Sequence, residues 1–398
     1  MKNSSLSLFL EINNTELIFF VEEKDEQNNY KITNKQIIPI IGVDGDRDLV
    51  FDKIFPSIKE NIYKIEQELN HTFKEIVLIL ENFEFTFLNL SGYKKLNGSQ
   101  IMRENITYIL NILKSYINEI EIKKKVLHIF NSKFCLDNKK IENLPIGLFG
   151  DFYSHELSLV LINSNDHKNI NNIFENCNIK IKKILLKSFL KGAFISDKNL
   201  NTETFFSIKL NDHDSKIFYF ENNSLKFEQN FKFGLDIILQ DISKVLSLDK
   251  SIIKKILSKI DPKQKILGDE LVEKEYFIGE NFRKIKKKLI HQVALARIEE
   301  ISDLILHRNI NLKYYKESAK IIFLEFSKNF NSESVKENLK SNFSMQGKFE
   351  VKLLDNLMSD NMLKTLNKLV HFGWKKEAIP TSQAKKSVIS RFFDAIFS

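Results

Sequence analysis

The chain has 398 residues, 43% hydrophobic and 28% charged, which excludes a chain disordered as a whole and leaves room for two or three domains with their own cores. A net charge of +8 would suit an acidic partner, but Lys, Asn, Ile and 34 Phe are abundant together, so the bias reads as compositional rather than as a set of basic patches. No run reaches the roughly 18 uncharged apolar residues of a spanning helix, and Glu11 interrupts the run Leu6 to Leu10 before it could serve as a signal peptide, so a cytoplasmic body is expected. Cys135 and Cys177 lie far apart without a CxxC or His cluster, which argues against a disulfide framework or a zinc site.

In chain order, LSLFLEI and TELIFFV read as a strand hairpin turning at Asn13 and Asn14, followed by an extended run over Ile37 to Val43. Ile54, Ile58, Ile62 and Ile65 recur at helical spacing within Asp52 to Leu69, and EIVLIL at Glu75 to Leu80 is a strand. From 81 to 165 the pattern restarts: a strand, a polar turn with Gly92 and Gly98, a helix over Ser99 to Ile120, the strand VLHIF, a loop with Pro145, Gly147 and Gly150, and the strand LSLVLI. Further elements follow: a helix over Asn169 to Cys177, the strand NIKIKKILLKS and a helix around Phe189 to Ile195. TFFSIKL, KIFYFEN and SLKFEQNFKF then form a three-strand meander that repeats the opening hairpin. Leu235 to Ile260 is predicted helical, 261 to 288 loop-rich, Leu289 to Leu306 an amphipathic helix, Ala319 to Phe326 a strand and Leu363 to Phe372 a last helix. Strands alternating with helices indicate a mixed α/β fold, and the repeated opening indicates a duplicated one.

Several stretches resemble the FtsA family of bacterial cell-division proteins. In VLHIFNSKFCLDNKKIENLPIGLFG, His128, Asp137, Pro145, Gly147 and Gly150 match the family's strand ending in His and its Pro-x-Gly-x-x-Gly loop. LSLVLI, NINNIFENCNIKIKKILL, ARIEEI at Ala296 to Ile301, LVHFG at Leu369 to Gly373 and SRFFDAIF follow in the family's order. The resemblance implies an α/β, actin-like (RNase H-like) duplicated fold with one inserted α/β subdomain and a C-terminal amphipathic helix. It places the first half at 1–80 plus 166–195, the insert at 81–165 and the second half at 196–373, with a smaller FtsZ-binding lobe near 240–310. A linker over 374–383 and a membrane-targeting helix over 384–398 complete it. It also implies partners: the C-terminal tail of the division tubulin FtsZ, anionic lipids, other copies of the chain in filaments, and later division proteins at the septum, on the cytoplasmic face of the inner membrane.

The cofactors of such a fold are ATP and Mg, bound by hairpins in which Asp precedes closely spaced Gly and Thr, since glycine lets backbone N–H groups reach the phosphates. Here the first hairpin carries Glu11, Asn13 and Asn14, the second Asn211 to Asp214, and FLEF stands where a Gly-Gly turn is expected. Gly234, Asp236 and Asp241 of the family's glycine-initiated helix start remain. ATP binding through Glu11, Asn13, Asn14, Asp214, Gly234 and Asp236 therefore stays open, hydrolysis is not expected, and no catalytic constellation or metal site is present in the motifs. Arg297 and Glu300, three apart on one helix, form an ion pair on chemistry alone and the FtsZ-tail site by resemblance. In the tail, Val388, Ile389, Phe392, Phe393, Ile396 and Phe397 share one helical half behind Lys385, Lys386 and Arg391, which suits a helix lying in an anionic membrane surface; docking on the protein's own core is the plain alternative. His128 reads as a packed strand-end histidine and not a ligand, and Trp374 as a cap on the last helix of the body. A pilus-assembly actin homologue with ATPase activity is the other reading of the fold, and a nucleic-acid partner is not expected because no basic and aromatic platform is localised.

Overall fold

The computed structural model describes residues 5–13, 15–25, 30–40, 51–81, 83–198, 202–259, 270–277, 281–327, 330–354 and 360–377. Its chain divides into two units, one of Met1–Glu203, Asn222–Lys226 and Met358–Ser398, the other of Thr204–Glu221 and Phe227–Leu357.

The first unit opens with the predicted hairpin, β1 (Ser5–Ile12) and β2 (Glu16–Lys24), whose apolar runs bury both strands. β3 (Tyr30–Pro39) adds antiparallel to β2, and α1 (Phe51–Leu69) crosses to β4 (Glu75–Leu80), which lies parallel to β1. Ile54, Ile58, Ile62 and Ile65 of α1 pack on this sheet as their spacing predicts. An inserted segment then builds a separate antiparallel sheet in the order β5-β8-β6-β7, from β5 (Phe85–Lys95), β6 (Lys124–Leu136), β7 (Lys139–Ile141) and β8 (Phe152–Asn163). Its helix α2 (Arg103–Ile120) buries Ile106, Ile109, Leu110, Leu113 and Ile117. The chain returns through α3 (Ser164–Glu175), β9 (Lys180–Leu186) and α4 (Lys187–Lys198), completing a sheet of order β3-β2-β1-β4-β9.

The second unit repeats that order as β12-β11-β10-β13-β14, from β10 (Phe205–Leu210), β11 (Ser215–Glu221), β12 (Ser224–Phe231), β13 (Ile321–Phe326) and β14 (Glu350–Leu353). Again the first strand is antiparallel to the second and parallel to the fourth. Helices α5 (Asp236–Leu246), α6 (Lys250–Lys259), α7 (Lys287–Ser302) and α8 (Glu333–Ser344) surround one apolar core with this sheet. The region near 240–310 lies within this unit.

Five expectations are corrected. Gly92 lies inside β5 rather than in a turn, because a Cβ there would overlap Ile109 of α2. The helix expected over 235–260 is two, broken where Ser247 takes the left-handed conformation at φ 51°. The helix expected to reach Leu306 ends at Ser302 and continues as a π-helical turn, Asp303–His307. The last helix, α9 (Asp360–His371), was assigned to the second half but packs in the first unit, where Asn367 donates to Glu22 of β2 over 2.6 Å. Residues 374–377, expected as linker, are packed: Trp374 and Glu377 are 5% and 8% exposed. The rest of the linker and the helix of 384–398 lie outside the described residues.

Candidate nucleotide and partner sites

In the first unit Glu11 is buried at the end of β1 and ion-pairs with Lys187, the first residue of α4. Burying a carboxylate requires such a partner. Asn13 opens the hairpin turn, and its Oδ1 accepts from Thr15 N over 2.8 Å, Glu16 N over 2.7 Å and Thr15 Oγ1 over 3.0 Å. Its own N–H donates to Glu16 O over 3.2 Å. The amides that a glycine-bearing turn would offer to a phosphate are thus taken by an asparagine side chain. Asn14 lies outside the described residues.

The second unit has the equivalent turn. Asn211 N donates to Asp214 O over 2.9 Å, as Asn13 N does to Glu16 O, and Asn211 Nδ2 donates to Asp214 Oδ1 over 2.7 Å. The equivalence sets Lys209 opposite Glu11 in role, so a cation stands where a metal-orienting carboxylate would be needed. Gly234 is required by close backbone approach, since a Cβ would overlap Asn211 O and the Asp212 carbonyl. That approach also caps α5: Leu235 N donates to Asn211 O over 2.9 Å and Asp236 N to Asp212 O over 2.8 Å. Asp236 holds Lys250 over 2.8 Å and Gln240 over 2.9 Å. Burial works against its charge, but these hydrogen bonds outweigh burial and hold its carboxyl below the usual range.

Beside this turn is a cavity of about 240 Å³ whose lining includes Asp212, His213, Asp236, Lys254, Ser258 and Ser332. Ser332 caps α8 and donates to Leu257 O over 2.7 Å. The charged groups of its lining are Asp212, Asp236 and Lys254, with Asp236 already paired to Lys250. Taken unit by unit, Asn13 takes the amides of the first turn, and in the second unit the first α5 amides are capped by Asn211 and Asp212 while Lys209 stands at the position of Glu11.

Two sheets of one strand order, each opened by an Asn-initiated hairpin and one carrying an inserted subdomain, decide the architecture. The chain has an actin-like fold. No protein-family model matches it. It is 25% identical over 245 residues to the cell division protein FtsA of Buchnera aphidicola subsp. Baizongia pistaciae, a match covering 60% of this chain and 56% of that protein's length. Among solved structures it is similar to the PilM-PilN type IV pilus biogenesis complex, at 10% identity and TM-score 0.49, covering 92% of this chain and 95% of that one. The MreB5 of Spiroplasma citri bound to AMPPNP is 9% identical with TM-score 0.43, covering 91% and 96%.

The remaining predicted site residues fall in two places. Arg297, on α7, ion-pairs with Asp241 of α5 and holds Glu300 over 2.8 Å, so its guanidinium ties two helices together while staying partly exposed. Asp241, expected with Gly234 and Asp236 at a glycine-initiated helix start, is part of this pair. Lys385, Lys386, Val388, Ile389, Arg391, Phe392, Phe393, Ile396 and Phe397 lie outside the described residues. Among the described residues no helix is long and apolar enough to cross a membrane.

Sequence reasoning missed the strap formed by 374–377. Trp374 Nε1 donates to Asn223 O over 2.7 Å, and Glu377 reaches a buried site between β6 and β9. There His128 Nδ1 is 3.1 Å from its Oε1, and Lys183 Nζ donates to its Oε2 over 2.8 Å and to Leu369 O over 3.0 Å. Burial opposes the charge of Glu377, but Lys183 and His128 more than offset it and keep the carboxyl below its usual range. The signal in the sequence was Trp374 followed, after two lysines, by Glu377.

Proposed function

We propose that this chain is a cell-division adaptor of the FtsA kind. It would bind the acidic, apolar C-terminal tail of FtsZ beside Arg297 and Glu300, hold the division filament to the cytoplasmic face of the inner membrane through residues 384–398, assemble with other copies, and recruit later division proteins. The observation that carries this reading is the sequence match to the Buchnera FtsA, at 25% identity over 245 residues. The actin-like fold with an inserted subdomain and the basic, aromatic tail are compatible with it. Its chemistry is binding: the first turn, whose amides Asn13 takes, and the capped start of α5 favour a scaffold that neither turns over ATP nor depends on Mg.

The test is sedimentation with vesicles of anionic phospholipid, with and without FtsZ filaments. The full chain should carry FtsZ to the vesicles, and a chain lacking 384–398 should bind FtsZ but leave the vesicles. Arg297→Glu should lose FtsZ and keep the vesicles. A full chain that sediments with neither would reject the reading.

A further inference from the structure

Where α9 packs on β2, two buried side chains each keep an oxygen without a partner. Glu22 and Asn367 are 1% and 3% exposed. Asn367 Nδ2 donates to Glu22 Oε1 over 2.6 Å and to Leu363 O, one turn back in α9, over 3.1 Å, so both of its hydrogens are used. The Leu363 carbonyl also fixes which way the amide points, because an amide turned over would set its own oxygen against that carbonyl. What is left is Glu22 Oε2 and Asn367 Oδ1, both buried with no hydrogen-bond partner. A carboxylate can only accept, and so can Oδ1, so an ionised Glu22 leaves both oxygens unsatisfied. A proton on Oε2 supplies the donor that the arrangement lacks. Oε2–H can then donate to Oδ1 while Nδ2–H donates to Oε1, the two-bond pairing of a carboxylic acid with a primary amide.

No cation takes the place of that proton. Lys24 of β2 lies 5.7 Å from the ring centre of Tyr30 of β3, and Tyr30 stacks on His371 of α9 at 5.8 Å. On β1, Ser7 stands opposite Glu22, and Glu11 is paired with Lys187 of α4. Lys368 of α9 holds Asp197 of α4 over 2.9 Å, while Lys182 and Lys183 of β9 hold Glu75 over 3.6 Å and Glu377 over 2.8 Å. β3 and α4 also carry Lys35 and Lys191. Among the described residues none of these cations is ion-paired with Glu22, and the Asn367 hydrogen bond alone opposes the burial that lifts its carboxyl to about 7.

We infer that Glu22 and Asn367 form a proton-dependent latch: Glu22 carries a proton in the folded chain and shares it with Asn367, which holds α9 on β2, and the hold weakens as that proton is drawn off to solvent. With α9 lifted, the carboxyl meets water and titrates at its ordinary value, 4.5. Lifting α9 therefore releases a proton, and it becomes easier as pH rises from about 4.5 to about 7. Lys183 also donates to Leu369 O over 3.0 Å, so the part of α9 that loosens is the part around Asn367. Residues 374–377 follow α9 directly, so the latch sets how firmly the start of the C-terminal segment is rooted. The inference stands on β2 and α9 alone, independently of the proposed division role.

Amide hydrogen exchange of the full-length chain tests it, read as protection factors corrected for the intrinsic rate. The α9 amides should be at least about tenfold less protected at about pH 7.5 than at about pH 5. His371, whose charge is disfavoured by burial and by Lys182 and Lys24, and carboxylates held low by their partners gain stability as pH rises, so they cannot produce a fall. Glu22→Gln places an amide N–H where the acid has its proton, and its α9 protection should not fall between the two pH values. Glu22→Met, which removes the titrating group without that mimicry, should also show no fall. In a chain labelled with carbon-13 at the glutamate carboxyls, one resonance should titrate at about 7 and be missing from both variants. An equal fall of α9 protection in the unsubstituted chain and the variants, or a Glu22 carboxyl that titrates at about 4.5, would overturn the inference.

Discussion

Glu22 illustrates how burial converts one carboxylate into a pH-dependent element of stability. It sits on β2 under α9, and burial lifts its carboxyl to about 7, although the hydrogen bond from Asn367 pulls the other way. The folded chain thus keeps a proton that the unfolded chain releases from about pH 4.5. This group's contribution is complete below that pH and is lost as pH rises to about 7. Glu22→Gln keeps an acceptor for Asn367 and removes the loss, so the variant should be more stable on the order of 2–3 kcal/mol at pH 8, the gain shrinking to below about 1 kcal/mol at pH 5. Urea denaturation at both pH values measures the difference, and a gain equal at both would exclude Glu22 as its source. Glu377 behaves oppositely because it has partners. Lys183→Met leaves its charge buried with His128 alone and should cost about 3–5 kcal/mol, and adding Glu377→Leu should recover most of that, as denaturation of the single and double variants would show. Neither residue was legible as special in the sequence. A glutamate in a strand and one beyond a terminal helix look like any other until the chain packs over them.

Elements were legible where periodicity was strong. The β1–β2 hairpin, α1 and β4 fell where alternation and 3.6-residue spacing put them, because each buries one face against a single core. Gly92 was misread because glycine marks turns more often than it marks a close helix crossing on a strand. Gly92→Ala should cost about 1–3 kcal/mol by forcing Ile109 and α2 off the sheet, measured as a lowered denaturation midpoint. α8 and β14 went unnoticed: ESVKENLKSNFS and EVKL are short and mostly polar, and they are ordered by packing on β13. The strap of 374–377 is the element with the largest consequence. A chain ending at 373 should be less stable by several kcal/mol than one ending at 383, since it leaves His128 and Lys183 buried without Glu377. Thermal denaturation of the two truncated chains decides it.

For the whole molecule, the duplicated strand order is the level at which the actin-like fold is recognised, and each half opens with a hairpin that turns at an asparagine. A ligand present at 1,000 times its Kd adds about 4 kcal/mol to the stability of the form that binds it. Because Asn13 takes the amides of the first turn and backbone carbonyls cap the start of α5, millimolar ATP with Mg should leave the thermal midpoint of the intact protein within about 1 °C. A rise of several degrees, abolished by Gly234→Ala, would mean that the second unit still takes nucleotide.

The sequence by itself determined the α/β class, the repeated hairpins and the scarcity of glycine, because these depend on local periodicity and on backbone freedom that each residue carries with it. Tertiary structure alone decided that Arg297 binds Asp241, that Glu377 is buried between His128 and Lys183, and that α9 packs with the first unit. Each joins residues far apart in the chain, and the free energy of such a contact comes from desolvation and pairing that exist only once both partners are brought together.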